Sequence, residues 1–154
     1  MPTTNTRYVD VDADAGGDGT TNGLSGGTCA YKSLSIWEAA RDDVGDLVTN
    51  DSIEDVVCGS AHASHTADTG GVVIDGWTTD ATRYINIRGA ASDSHLGVYD
   101  ATKYRLAMTN STALNLNEQY VRVNRLQLYT VSATANGKAC LVFGASAAGG
   151  VPPP

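Results

Sequence analysis

The chain has 154 residues and a net charge of −7, with 42% hydrophobic against 18% charged side chains. That length suits one domain, and the apolar share fills one sizeable core. The ten Lys and Arg residues are scattered, so the clustered cations that phosphates or anionic lipids require are missing, and neither nucleic acid nor a membrane is an expected partner.

In chain order, Met1 to Arg7 shows no apolar run after a basic start, which predicts neither a signal peptide nor a membrane span. Tyr8-Val9-Asp10-Val11 alternates as a short strand does and runs into a polar, glycine-rich loop from Asp12 to Gly27. The segment Ser33 to Arg41 predicts one short helix, with Ser35 and Glu38 in capping-box spacing and Trp37 and Ala40 on one face. From Ile53 onward short strand-like runs replace helical periodicity: Ile53 to Cys58, Val72 to Asp75, Tyr84 to Arg88, Tyr104 to Met108, Ala113 to Leu116, Tyr120 to Tyr129 and Lys138 to Phe143. Gly, Asn, Asp, Ser or Thr bounds each run, and the 17 glycines fit a chain of many short turns. The alternation places Ile85, Ile87, Leu106, Met108, Leu114, Leu116, Val121, Val123, Leu126 and Leu128 toward one core.

Two architectures accommodate many short strands, an antiparallel sandwich or barrel and a parallel stack of coils. Two-residue hairpin turns are scarce: Asp18-Gly19 and Asn22-Gly23 fall in the first loop, and Asn136-Gly137 ends a longer connection. Tyr84-Ile85-Asn86-Ile87-Arg88-Gly89-Ala90 echoes Tyr120-Val121-Arg122-Val123-Asn124-Arg125-Leu126 in its pattern of aromatic, aliphatic and polar positions. The expected fold is therefore all-β, a right-handed parallel β-helix of few coils with a short N-terminal capping helix in which Trp37 is the lid. Residues 1–143 form the single domain, with a cap region over 1–50 and coils over 51–143, and a flexible Gly/Ala/Pro tail follows over 144–154. About 90 residues make roughly four turns at some 20 to 25 residues each.

Tyr8-Val9-Asp10-Val11-Asp12 followed by Gly16-Gly17-Asp18-Gly19-Thr20, Tyr31-Lys32-Ser33-Leu34 opening the helix, Val73-Ile74-Asp75-Gly76-Trp77-Thr78-Thr79, and Tyr120-Val121-Arg122-Val123 carry a resemblance. They resemble the N-terminal part of pectate-lyase-like right-handed parallel β-helix proteins of bacteria and tailed bacteriophages. The resemblance covers residues 8 to about 143. It implies phage tailspikes, virion proteins, adhesins or polysaccharide lyases as the functional range, and relatives usually carry many more coils than this chain has room for.

Asp10, Asp12, Asp14 and Asp18 offer the carboxylate oxygens a calcium ion wants, but Ala15 and Thr21 break the EF-hand spacing, so a solvated turn is preferred and no cofactor is expected. His62, His65 and His95 are candidate metal ligands or acid–base groups, with a solvent-facing loop as the plainer role for the first two. Lyases of the resembling class imply a basic residue that removes a proton alpha to a uronate, for which Arg88, Arg122 and Arg125 are the candidates. Asp75, Asp80, Asp93, Asp100 and Glu118 supply carboxylates for a glycosidase without selecting a pair. Trp77, Tyr84, Tyr99, Tyr104, Tyr120 and Tyr129 suit sugar stacking or an interface, with semi-buried packing preferred. Cys29, Cys58 and Cys140 lack metal-site spacing and read as core fillers; their odd number allows at most one internal disulfide and leaves the redox compartment open.

These readings converge on a non-catalytic structural or adhesive module, a virion component such as a decoration, tail or fibre protein, on a virion or extracellular surface. Its expected partners are its own copies or a shell protein, with a surface glycan as a further candidate. The expected interface is Leu141, Val142 and Phe143, because the small residues and prolines that follow supply no cap for the stack. The alternative is a carbohydrate-active domain, a polysaccharide lyase or hydrolase reduced to its first coils.

Overall fold

A computed structural model describes residues 1–42, 45–59, 65–133 and 137–144. In chain order these form β1 (Thr3–Val9), α1 (Leu34–Arg41), β2 (Ser52–Cys58), β3 (Val72–Ile74), β4 (Ile85–Gly89), β5 (Arg105–Thr109), β6 (Leu114–Leu116), β7 (Val121–Asn124), β8 (Gln127–Val131) and β9 (Leu141–Phe143), with a 3-10 turn over Ala91–Asp93.

The strands pair in three sheets, ordered β1-β2-β4-β7, β3-β6-β9 and β5-β8, and every pairing is parallel. Parallel partners need long connections: α1 and its flanking loops separate β1 from β2, and every later pairing skips at least one intervening strand. Ile85 aligns with Val121, Asn86 with Arg122 and Ile87 with Val123, which is the register of the sequence echo between these segments.

The apolar positions of successive layers stack into one interior. Ile85, Ile87, Leu106 and Leu114 are fully buried and join Val9, Val56, Ile74, Leu34 and Trp37 in a single cluster. Each Leu or Ile so buried contributes about 1.5–3 kcal/mol relative to exposure. α1 packs against β3, and the Trp37 ring stacks on Trp77 with centroids 5.7 Å apart.

The expected all-β right-handed parallel β-helix is corrected by this arrangement. The structure is mixed, with a helix beside three short parallel sheets, and among the described residues the sheets do not close into a solenoid. The physical reason lies in the connections. Several strands are only three residues long, and the segments joining the layers are turns, loops and one helix, so the ladders stay separate.

Smaller corrections follow from local chemistry. β1 begins at Thr3, where the polar run Thr3 to Arg7 shows no alternation, because pairing with β2 along all seven residues supplies the stability. The expected run from Tyr120 to Tyr129 is two strands, since Arg125 adopts φ 54° and turns the chain between β7 and β8. The helix is capped by Ser33, whose side chain accepts from the Ile36 amide, and not by Ser35; Glu38 has a different task, described below. Val121, Val123, Leu126 and Leu128 are only partly buried against the core. His62 and the tail from residue 145 onward lie outside the described residues.

Candidate functional site

Where β1 ends, the chain turns beneath the Asp10 carboxylate, whose Oδ1 accepts from the Asp12 amide at 3.0 Å. The Asp10 amide donates to Tyr31 O, fixing the residue over the core, and its side chain is fully buried. Two further segments converge on it. His65 is held by its backbone, its amide donating to Thr102 O and its carbonyl accepting from Arg105 at 3.0 Å. The 3-10 turn brings in Asp93.

The imidazole of His65 lies between carboxylates. Nδ1 is 3.4 Å from Asp10 Oδ1 and 4.0 Å from Asp12 Oδ2, and Nε2 is 2.9 Å from Asp93 Oδ2. His65, Asp10 and Asp93 are buried, whereas the Asp12 side chain is 29% exposed. Thr66 Oγ1 donates to Asp12 Oδ1 at 3.1 Å, and the Tyr104 amide donates to Asp93 Oδ2 at 3.0 Å. Gly59, at φ 82°, leaves the space that Asp93 occupies, because a Cβ there would overlap Asp93 Oδ2.

The polar interior continues through Tyr104, whose hydroxyl donates to Asp68 Oδ2 at 2.6 Å. Asp68 also accepts from the Leu34 and Gly70 amides. Burial, followed by the neighbouring Asp68, pushes the Tyr104 phenol well above its ordinary range. These bonds tie the start of α1 to the edge of β5.

A second buried cluster surrounds the two tryptophans. Glu54, with no exposed surface, accepts from Trp37 Nε1 at 3.2 Å and from Arg41 Nε and NH2 at 2.9 and 3.1 Å. Glu38 Oε1 accepts from Trp77 Nε1 and the Asp75 amide, both at 3.0 Å. Burial raises the Glu38 carboxyl to about 7 against the lowering effect of those two bonds, and the nearby Asp42 and Glu118 charges add to the rise. Sequence reasoning assigned Glu38 to a helix cap and left Glu54 unremarked. The Trp-x-x-x-Arg spacing in α1, with an acid in an otherwise apolar strand, was the available signal.

The other candidates are dispersed. Asp14 is exposed, and Asp18 is engaged in its own turn by the Thr20 amide and hydroxyl, so of the four aspartates only Asp10 and Asp12 lie together, beside His65. His95 Nδ1 accepts from the Gly97 amide. Arg88 forms a two-pronged pair with Asp55 at 2.9 and 2.8 Å, and a guanidinium so held does not act as a base. Arg122 covers the Tyr84 ring, 3.5 Å from its centroid, and Arg125 is exposed at its corner. Asp80 and Asp100 are held below the usual carboxylate range chiefly by donors from Thr82 and Thr102. Asp75 Oδ1 accepts from Gly76, and Glu118 Oε1 accepts from the Trp77 amide. Trp77 and Tyr104 are buried, whereas Tyr99, Tyr120 and Tyr129 are exposed. All three cysteines are free; Cys29 and Cys58 are buried and Cys140 is partly so.

The expected interface residues lie on β9, an edge strand. Leu141 packs against the core, Val142 is partly covered and Phe143 is 75% exposed. Among the described residues β7, β8 and β9 each pair on one side only, and Tyr129 and Val131 on β8 are also exposed.

Comparison of the chain with known protein families, curated proteins and solved structures found no match.

Proposed function

We propose that the chain is a non-catalytic structural module that assembles with copies of itself through the edge formed by β7, β8 and β9. The observation that carries this reading is the last layer itself. Three parallel strands there each have a free ladder edge among the described residues, next to exposed Phe143, Tyr129 and Val131. Unpaired edges beside apolar surface favour association.

Charge distribution supports a copy of the same chain as the occupant. All 17 acidic residues precede residue 119, while Arg122, Arg125 and Lys138 follow it. Exposed Asp12, Asp14 and Asp18 lie in the loop that covers the end of β1, the opposite edge of the largest sheet. A basic, apolar last layer therefore meets an acidic first layer in a head-to-tail contact, which generates a ring or an open stack. A virion or cell-surface setting, with a shell protein as a further partner, rests on the resemblance of the short motifs to phage and bacterial surface proteins.

Sedimentation of the purified chain at micromolar concentrations tests the reading. Oligomers that dissociate on Phe143→Glu support it; a monomer indifferent to that substitution overturns it.

A second reading, glycan binding, has one observation in its favour. Tyr99 and Tyr129 are exposed with ring centroids 5.6 Å apart, and Tyr99 borders a cleft of about 360 Å³ with His95 and Gln127. Loss of glycan-array binding on Tyr99→Ala is its test.

A further inference from the structure

We infer that Asp10, Asp12 and His65 form a binding site for a first-row divalent cation of zinc type, with Asp93 as the positioning residue for the imidazole. One ligand atom from each of the three lies within 4.8 Å of the other two.

The geometry is close to that of a small tetrahedral ion. Zinc bonds of about 2.0–2.2 Å to nitrogen and oxygen set neighbouring ligand atoms about 3.4 Å apart. Nδ1 of His65 is 3.4 Å from Asp10 Oδ1. Its distance to Asp12 Oδ2 is 4.0 Å, and Asp12, the one exposed member, can swing inward to close it.

The opposite ring nitrogen fits a common outer-shell arrangement. Nε2 lies 2.9 Å from Asp93 Oδ2, so that carboxylate sits beside the far ring nitrogen, while Nδ1 is the nitrogen that faces Asp10 and Asp12. Lys103 Nζ, 3.9 Å from Asp93 Oδ1, offsets the Asp93 charge. Among the described residues, Asp10 and Asp12 have ion-pair partners only in His65.

An independent observation points to a ligand. Asp10 is fully buried, and its Oδ2 has no hydrogen-bond partner among the described residues. A buried carboxylate oxygen with an unmet acceptor is costly, and buried charges are ordinarily paired or bound to a metal. An imidazole with two carboxylates suits zinc or manganese, while calcium prefers an all-oxygen shell.

The test is titration of the chelator-treated full chain with zinc chloride and, separately, calcium chloride, followed by calorimetry and by melting temperature. Saturable one-to-one zinc binding that raises the melting temperature, with no matching effect of calcium, is expected. Asp12→Asn should weaken zinc binding by about tenfold or more, and His95→Ala should leave it unchanged. His65→Gln tests the nitrogen ligand directly; should that variant not fold, the exposed Asp12→Asn still decides. Absence of saturable zinc binding overturns the proposal. Undiminished binding by Asp12→Asn, or loss of binding on His95→Ala, does so as well.

Discussion

Glu38 makes the fold pH-sensitive in a direction opposite to that of most carboxylates. Its folded-state value is raised from 4.5 to about 7, first by burial and then by the Asp42 and Glu118 charges. The folded chain therefore holds the Glu38 proton more tightly than the unfolded chain does. Stability from this group is fully present below pH 4.5, falls as the pH rises through the interval to 7, and is lost above it. A shift of that size corresponds to about 3 kcal/mol at 1.36 kcal/mol per pH unit, of which about 2.5 kcal/mol falls between pH 5 and pH 8. Glu38→Gln preserves an oxygen for Trp77 Nε1 and the Asp75 amide while removing the titration. Urea unfolding at both pH values should show the wild type weakening on going to pH 8 and the variant weakening by about 2 kcal/mol less. Equal pH dependence in the two proteins would refute the assignment of a buried, proton-holding Glu38.

Three further outcomes follow from buried groups elsewhere. Arg41→Ala removes the two-pronged partner of fully buried Glu54, leaving it Trp37 Nε1 at 3.2 Å and Arg7 Nε at 4.0 Å, and should cost about 3 kcal/mol in urea unfolding, the lower end of the range for breaking a buried pair. Trp37→Ala, which opens a cavity where the ring stacks on Trp77, should cost about 3–5 kcal/mol by the same measurement. Gly59→Ala combines φ 82° with a Cβ that overlaps Asp93 Oδ2 and should lower stability by about 2 kcal/mol or more.

The parallel pairing was legible in the sequence because it depends on local alternation repeated from layer to layer. Ile85 and Ile87 lie on Val121 and Val123, and the segments containing them share one pattern of apolar, polar and turn residues. The closed β-helix inferred from that pattern was an overextension, since alternation identifies strands and says little about whether short ladders join. Corners made by non-glycine residues were also hidden: nothing in its residue type marks Arg125 for φ 54°. Burial was misjudged in the last layer, where Val121 and Val123 are only partly buried against the core although their alternation equals that of Ile85 and Ile87. The Asp10–His65–Asp93 cluster depends on three distant segments meeting, and the sequence offers its members for three different roles, a cation loop, a metal or acid–base histidine and a glycosidase carboxylate, with nothing to join them. Glu38 and Glu54 show why buried acids escape such reading, because their meaning lies in the Trp and Arg partners that tertiary packing brings to them.

The most direct measurement of assembly through the last layer is backbone hydrogen exchange on the unmodified chain, compared between dilute and concentrated solution. The account predicts that raising the concentration slows exchange in Val121–Asn124, Gln127–Val131 and Leu141–Phe143, and in the outer edge of β1, while β2, already flanked by β1 and β4, exchanges as before. Exchange in β7, β8 and β9 that is rapid and independent of concentration would contradict it.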